Sequence, residues 1–423
     1  MSRIRINGLR PLRGRISIQG SKNAALPMMA AALLHKGVTV LTNVPVIQDV
    51  ECMAGILEYI GCRLNRKGGA IEIDASFPRI VKIPDSYVRR MRSSVILLGA
   101  MAGRLGEGES GYPGGCLIGA RPIDMHLQVL RELGARVEER EESVRVRPGA
   151  GGLKGARIVL RYPSVGATEQ ALLAAVLAEG VTVIENAARE PEVSQLCLCL
   201  RGMGARVFGI GTGTLAVYGV KELHDSCFSV RGDRIVAGTY LAAVMAARGE
   251  VCLRGLHPGE LALPLRLLRQ AGARVREDEA AGEVSISMDE SPGGLQIETG
   301  PYPAFPTDLQ PPFMAFLAAG RGESRLSERV FEARFGAAEE LNRMGARIRL
   351  EGGIALVQGA GTLQGARVWA KDLRGGAALA VAALAARGET VIEGCGHIER
   401  GYEDLCRDLR ALGAEAFWER RDV

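Results

Sequence analysis

Aromatic residues make up only 4% of this 423-residue sequence, with two tryptophans. That scarcity leaves no stacking platform for single-stranded nucleic acid. The net charge of +5 comes from 53 cations mixed with 48 acids, without a run of one sign. A nucleic-acid tail and a polybasic membrane patch are thereby excluded, and a small anionic substrate is not. No segment supplies the roughly 18 uncharged apolar residues of a spanning helix, and the N-terminus "MSRIRINGLR" lacks the apolar core of a signal peptide. The reading is a soluble, cytoplasmic protein. Nine cysteines, an odd number, show no C-x-x-C or Cys/His ligand spacing. This points to a reducing compartment and no structural zinc. Cys197 and Cys199, two apart in "LCLCL", cannot share one helix face and read as core thiols. Lysine is scarce too, with seven among the 53 cations. Lys22, in the helix-initiating "GSKNAALP", therefore stands out.

What is present is repetition. A helix end, a small pair and a strand recur as "YIGCRL", "ELGARV", "GMGARV", "QAGARV", "RMGARI" and "ALGAEA". Their central glycines, Gly61, Gly134, Gly204, Gly272, Gly345 and Gly413, stand 68 to 73 residues apart. Each follows a helical pattern and precedes a β-type run, the place of a left-handed residue that closes a helix. Upstream in every copy lies an Ala-rich helix such as "NAALPMMAAALL" or "GAALAVAALAA". A helix apolar nearly all round is a buried one. One unit is then strand, buried helix, strand, exposed helix and two strands, in about 70 residues. The chain exceeds one ordinary core. Three units make a domain, with helices inside and sheets outside, in an α/β (or α+β) class. The first strand precedes the first buried helix, so the expected domains are 22–230 and 1–21 plus 231–423.

The six copies act as an internal control, because the scaffold requires only alternation and glycine. At the starts of the buried helices stand Lys22-Asn23, Arg92-Ser93, Thr168-Glu169, Asp233-Arg234, Thr307-Asp308 and Asp372-Leu373-Arg374. Acids, Ser and Thr there are ordinary caps. Cations are not, since the N-terminal end of a helix is already positive. They make sense if these ends hold an anion together with free N–H groups. The second copy also carries an insertion-like loop, about 112–126, reading "YPGGCLIGARPIDMH". Gly114, Gly115 and Gly119 suit it to act as a lid. Cys116, with Arg121 near it, is a candidate nucleophile or acid. Asp308, in a tight turn, is the best candidate general base. Arg334 in "VFEARF", Arg374 in "KDLRGG" and Arg400 in "HIERGYEDL" are further candidates, and His126 is a weaker acid-base one.

The motifs "GSKNAALP", "PGGCLIGARPIDMH", "PSVGAT", "IENAAREPE", "FPTDLQ", "VFEARF", "KDLRGGAAL" and "IERGYEDL" together resemble the UDP-N-acetylglucosamine 1-carboxyvinyltransferases of the EPSP synthase family. The match runs in order along essentially the whole chain. The resemblance implies two inside-out α/β barrels with the site in the cleft between them, no metal and no cofactor. It implies enolpyruvyl transfer from phosphoenolpyruvate to UDP-N-acetylglucosamine, which opens peptidoglycan synthesis. By the same resemblance Lys22, Arg92, Arg121 and Arg400 would hold the phosphate, and Arg334 and Arg374 the carboxylate of phosphoenolpyruvate. Asn23 would contact the enolpyruvate and the sugar, and Asp308 the sugar. Arg92, Arg121, Pro122, Ile123, Asp124, Ser164, Val165, Gly166 and Val330 would complete the UDP-sugar site. Cys116 would serve C3 proton transfer and product release, and be the residue fosfomycin alkylates. The sequence departs from some members at Tyr162-Pro163, where a lysine for the diphosphate is expected. The alternatives are a shikimate-type transferase, which lacks the "PGGC" loop and "RPID", and a non-catalytic UDP-sugar-binding paralogue. Oligomeric state is left open.

Overall fold

Each Ala-rich segment becomes an inner helix in the computed structural model, which describes residues 2–113, 118–119 and 121–420. These are α1 (Lys22–Ala32), α2 (Leu97–Leu105), α3 (Val165–Ala175), α4 (Arg234–Ala247), α5 (Gln310–Ala318) and α6 (Leu373–Leu384). A short 3₁₀ turn, Arg92–Ile96, leads into α2, and another, Thr307–Leu309, leads into α5. Nearly every residue of the six is buried, since small and aliphatic side chains on all faces let three helices approach one another closely. α1, α2 and α3 pack together as one trio, and α4, α5 and α6 as another. Each trio forms the centre of its own hydrophobic core. The six repeat glycines all have positive φ, between 83° and 114°. Only a residue without Cβ takes that conformation freely, so each outer helix ends where the sequence places a glycine.

Sheets cover the trios. In five of them a parallel pair is extended by antiparallel strands. The chain exchanges first strands between its halves. Strand β1 (Leu12–Ser17) precedes α1, yet it pairs in parallel with β4 (Gly249–Arg254), from Leu12 opposite Gly249 to Ser17 opposite Arg254. Strand β3 (Ser226–Ser229) precedes α4, yet it pairs in parallel with β2 (Val38–Thr42). The chain divides accordingly into Met1–Gln19, Cys116–Ala120 and Gly232–Val423 as one unit, and Gly20–Gly115 and Arg121–Arg231 as the other.

The second repeat departs from the scheme. Its sheet has three strands, Gly108–Gly111, Ser143–Pro148 and Ala135–Glu139, and a lone parallel bridge from Lys82 to Glu109 stands where the others have a first strand. Residues 112–123 connect strand to outer helix there, whereas 43–47 and 186–190 suffice in the neighbouring repeats. α3 also begins earlier than the sequence pattern indicates. Its N-cap is Ser164, whose hydroxyl accepts from the Ala167 N–H at 3.3 Å, and Thr168 and Glu169 are buried inside it. Cys197 and Cys199 are buried, and desolvation pushes both thiols up to about 12, so they are inert core residues. Among the described residues no helix is long and apolar enough to cross a membrane.

Candidate active site

In the unit built on α1, α2 and α3, cations gather at the ends of inner helices. Lys22 opens α1, and its Nζ lies 3.2 Å from Oδ2 of Asp49, a buried acid in the first turn of the outer helix Gln48–Ile60. That carboxylate offsets a cation placed at the positive end of a helix. Asn23 is half-buried beside it. The turn that begins at Arg92 packs on both α1 and α3. Arg92 Nη2 donates to the Pro122 carbonyl at 3.1 Å, which ties this turn to the segment Arg121–Asp124. Arg121 and Pro122 are exposed and Ile123 is buried. Asp124 opens the outer helix Asp124–Glu132 and pairs with Arg161.

His126 joins this segment to α3. A Cβ at Gly166 would lie 2.8 Å from His126 Cε1, so the imidazole rests directly on the first turn of α3. Ser164, Val165 and Gly166 therefore share one corner with Arg92, Arg121, Asp124 and Arg161. Burial, reinforced by Arg92 and then Arg121, lowers the His126 pKa to about 4, against the opposing effects of Gln170 and Asp124. The ring is neutral near pH 7 and closed in, which removes it as an acid-base catalyst. Its Nδ1 finds no hydrogen-bond partner among the described residues.

The unit built on α4, α5 and α6 carries an arginine fork. Asp308 sits in the 3₁₀ turn before α5, and Arg374 is the second residue of α6. Arg334 opens the short helix Arg334–Ala337. Arg334 Nη2 donates to Asp308 Oδ1 at 2.7 Å, and Arg374 Nε donates to Asp308 Oδ2 at 3.2 Å. Both arginine side chains are 3% exposed, whereas Asp308 is 28% exposed. Buried charges persist only when paired, and the fork is shaped to pair with a carboxylate. Asp372 caps α6, accepting from the N–H groups of Arg374 and Gly375 at 3.0 and 2.9 Å. Arg400 ends the short helix Cys395–Arg400, which packs on α6 and leaves its side chain half-buried.

Glu328 organises the rest of this corner and drew no attention in the sequence. Its Oε1 accepts from the Thr299 hydroxyl at 2.8 Å and from the Val330 and Phe331 N–H groups at 2.8 and 3.1 Å, while Oε2 accepts from the Thr307 hydroxyl at 3.0 Å. One buried carboxylate thus fixes the backbone at Val330 and the residue before Asp308. Arg161 was also missed, although it stands two residues before Pro163 in the segment that lacks the expected lysine. Cys116, Gly114 and Gly115 lie outside the described residues. Of the same loop, Ile118 accepts from the Ala333 N–H at 3.1 Å, and Gly119 lies against Glu332, where a Cβ would come within 2.2 Å of its Oε2.

Comparison with known proteins follows the same lines. The model of the EPSP synthase (3-phosphoshikimate 1-carboxyvinyltransferase) family matches residues 6–409. UDP-N-acetylglucosamine 1-carboxyvinyltransferase 2 of Caldanaerobacter subterraneus subsp. tengcongensis is 44% identical over 98% of this chain and 99% of its own. The UDP-N-acetylglucosamine 1-carboxyvinyltransferase of Granulibacter bethesdensis is 43% identical over 98% and 99%. Among solved structures, the enolpyruvyl transferase NikO from Streptomyces tendae superimposes with a TM-score of 0.89 at 26% identity, covering 99% of this chain and 98% of that one. A match that spans the whole chain, on a scaffold of inner helices and outer sheets with cations at the inner helix starts, leaves one assignment: the chain belongs to the EPSP synthase family, among its UDP-N-acetylglucosamine 1-carboxyvinyltransferases.

Proposed function

We infer that this protein transfers the enolpyruvyl group of phosphoenolpyruvate to the 3′-hydroxyl of UDP-N-acetylglucosamine and releases phosphate, as a cytoplasmic enzyme of peptidoglycan synthesis. The observation that carries the reading is the 44% identity, end to end, with a relative named for that reaction. The charged corners support it, because both substrates are anions. Arg334 and Arg374 take the carboxylate of phosphoenolpyruvate, the group whose shape Asp308 presents to them here. Lys22, Arg92, Arg121 and Arg400 take its phosphate, and Asn23 contacts enolpyruvate and sugar. The segment Arg121–Asp124, with Val330 and the first-turn N–H groups of α3, holds the UDP-sugar. Arg161 supplies the cation that Tyr162-Pro163 leave out.

The chemistry follows from the substrates. A proton added at C3 of phosphoenolpyruvate leaves C2 electron-poor, and the sugar oxygen bonds to C2 as its own proton departs. Asp308 assists that deprotonation and Cys116 serves the C3 proton. Loss of a C3 proton and of phosphate from the tetrahedral adduct restores the double bond as an enol ether. The cations stabilise charge that develops on phosphate and carboxylate as these bonds change.

Phosphate release from phosphoenolpyruvate, measured beside each other with UDP-N-acetylglucosamine and with shikimate 3-phosphate, tests the reading. Release with the UDP-sugar alone is the expected result. Release with shikimate 3-phosphate alone would make the protein a 3-phosphoshikimate 1-carboxyvinyltransferase instead. Silence with both, in folded protein, would leave a non-catalytic binder.

A further inference from the structure

Arg374 is too important to the proposed carboxylate fork to be left to find its own orientation, and the hydrogen bonds behind it run in a fixed direction. Its Nη1 lies 3.5 Å from the hydroxyl of Tyr402, and its guanidinium carbon stands 5.7 Å from the centre of that ring. The Tyr402 hydroxyl lies 2.8 Å from Oγ1 of Thr239, and Thr239 Oγ1 lies 3.0 Å from the carbonyl of Ile235 one turn earlier in α4. All three side chains are buried, with Arg374 at 2%, Tyr402 at 1% and Thr239 at 1% exposure. Bulk water therefore does not reach these groups.

A hydroxyl carries one proton, and arginine can only donate. If Thr239 donated to Tyr402, the phenolic proton would face a guanidinium and have no acceptor among the described residues. If Thr239 donates to the Ile235 carbonyl, Tyr402 donates to Thr239 and turns its lone pairs toward Arg374. Only the second assignment satisfies both protons. The chain of donation runs from Arg374 to Tyr402, from Tyr402 to Thr239, and from Thr239 to the backbone of α4. Arg374 is thus held at Nη1 by a relay anchored in the inner helix trio, while Nε donates to Asp308 Oδ2 at 3.2 Å and Nη2 lies 3.1 Å from the same oxygen without a hydrogen bond of its own among the described residues.

We propose that Tyr402 and Thr239 are positioning residues that fix the rotation of the Arg374 guanidinium, so that its Nε–Nη2 edge meets a carboxylate squarely. The proposal rests on the reading of Arg374 as part of the phosphoenolpyruvate fork. It gives the tyrosine of "RGYEDL" a task separate from that of Arg400 two residues earlier. A hydrogen bond to a buried charged group affects binding strongly, and geometric slack of one bond is enough to degrade a bidentate fork.

Tyr402→Phe removes the hydroxyl and keeps the ring. The expected result is a fall of about tenfold or more in kcat/KM for phosphoenolpyruvate, with KM for UDP-N-acetylglucosamine unchanged and Tm near that of the parent. Thr239→Val should reproduce the loss and Thr239→Ser should restore parental rates. The double variant Tyr402→Phe/Thr239→Val should be no worse than Tyr402→Phe alone, because both break one relay. Parental kcat/KM in Tyr402→Phe would overturn the proposal, as would a loss shared equally by both substrates. Arg374→Lys separates this failure from that of the site reading. If it lowers kcat/KM for phosphoenolpyruvate and Tyr402→Phe does not, the relay is wrong; if Arg374→Lys also has no effect, the fork itself is misassigned.

Discussion

The two charged corners are built on the same repeat and wired in opposite ways. In the unit of α4, α5 and α6, the two fork arginines are 3% exposed, and Glu328 and Tyr402 tie their surroundings to neighbouring hydroxyls. In the unit of α1, α2 and α3, Arg121 is exposed and Arg161 keeps 63% of its side chain in solvent. The difference teaches what each can recognise. Buried, prewired guanidinium groups select the shape and angle of a carboxylate, since any other occupant leaves them unpaired. Exposed cations beside a helix N-terminus supply field and adjustable bonds, which suit a diphosphate on a flexible linkage.

The sharpest way to break the contrast is Asp308→Ala, which strips the fork of its carboxylate and leaves two buried guanidinium groups facing each other. Turnover should fall by at least about 10²-fold. Stability should fall by about 3 kcal/mol, read from urea melts. A variant at parental stability would show that the fork is not prewired.

The next test concerns His126, the buried anchor of the otherwise exposed corner. The unfolded chain binds a proton at this ring near pH 6.5 and the folded chain only near pH 4, so acid favours unfolding. Stability should be unaffected by this ring above pH 6.5, and about 3 kcal/mol should be lost as pH falls through 6.5 to 4. His126→Asn should flatten that part of the profile, checked by denaturant melts at each pH.

Smaller still, Arg161→Ala should raise KM for UDP-N-acetylglucosamine about fivefold, leave KM for phosphoenolpyruvate unchanged and weaken the salt dependence of UDP-sugar binding. Arg374→Lys should leave that salt dependence as it is. An Arg161→Ala protein with normal KM would remove the cation from the diphosphate site. The gentlest test is Glu169→Gln in α3. Burial first, and then Glu192 and Glu190, raise the Glu169 pKa well above its usual value. The folded state holds its proton where the unfolded chain has lost it, so stability drains as pH rises above the ordinary carboxyl range. The amide should raise Tm at pH 8 and leave it unchanged at pH 4.

Much of this could be read along the chain. The six glycines locate six helix ends because a left-handed backbone tolerates little else, and each Ala-rich run is buried because it has no polar face to show. Lys22, Arg92, Arg334 and Arg374 stand out as charges the scaffold does not require. Other features depend on hydrogen bonds and packing that the residue pattern does not display. Thr168 and Glu169 look like a helix start and are buried inside α3, since Ser164 provides the cap. His126 looks like an acid-base residue, and the glycine at 166 draws its ring into the interior. Glu328 looks like any acid in a turn until four donors converge on it.

The sequence by itself determined the repeat, the inner helices and the points where outer helices stop, because those follow from local backbone preference and from periodic apolarity. The placing of the first strand with the second half of the chain was legible too, in a strand that precedes the first buried helix. The tertiary structure alone decided that Asp308 bridges Arg334 and Arg374. It also set the relay from Arg374 through Tyr402 and Thr239. Hydrogen bonds between side chains on different elements are settled by which surfaces meet when a helix trio packs, and no local preference encodes that meeting.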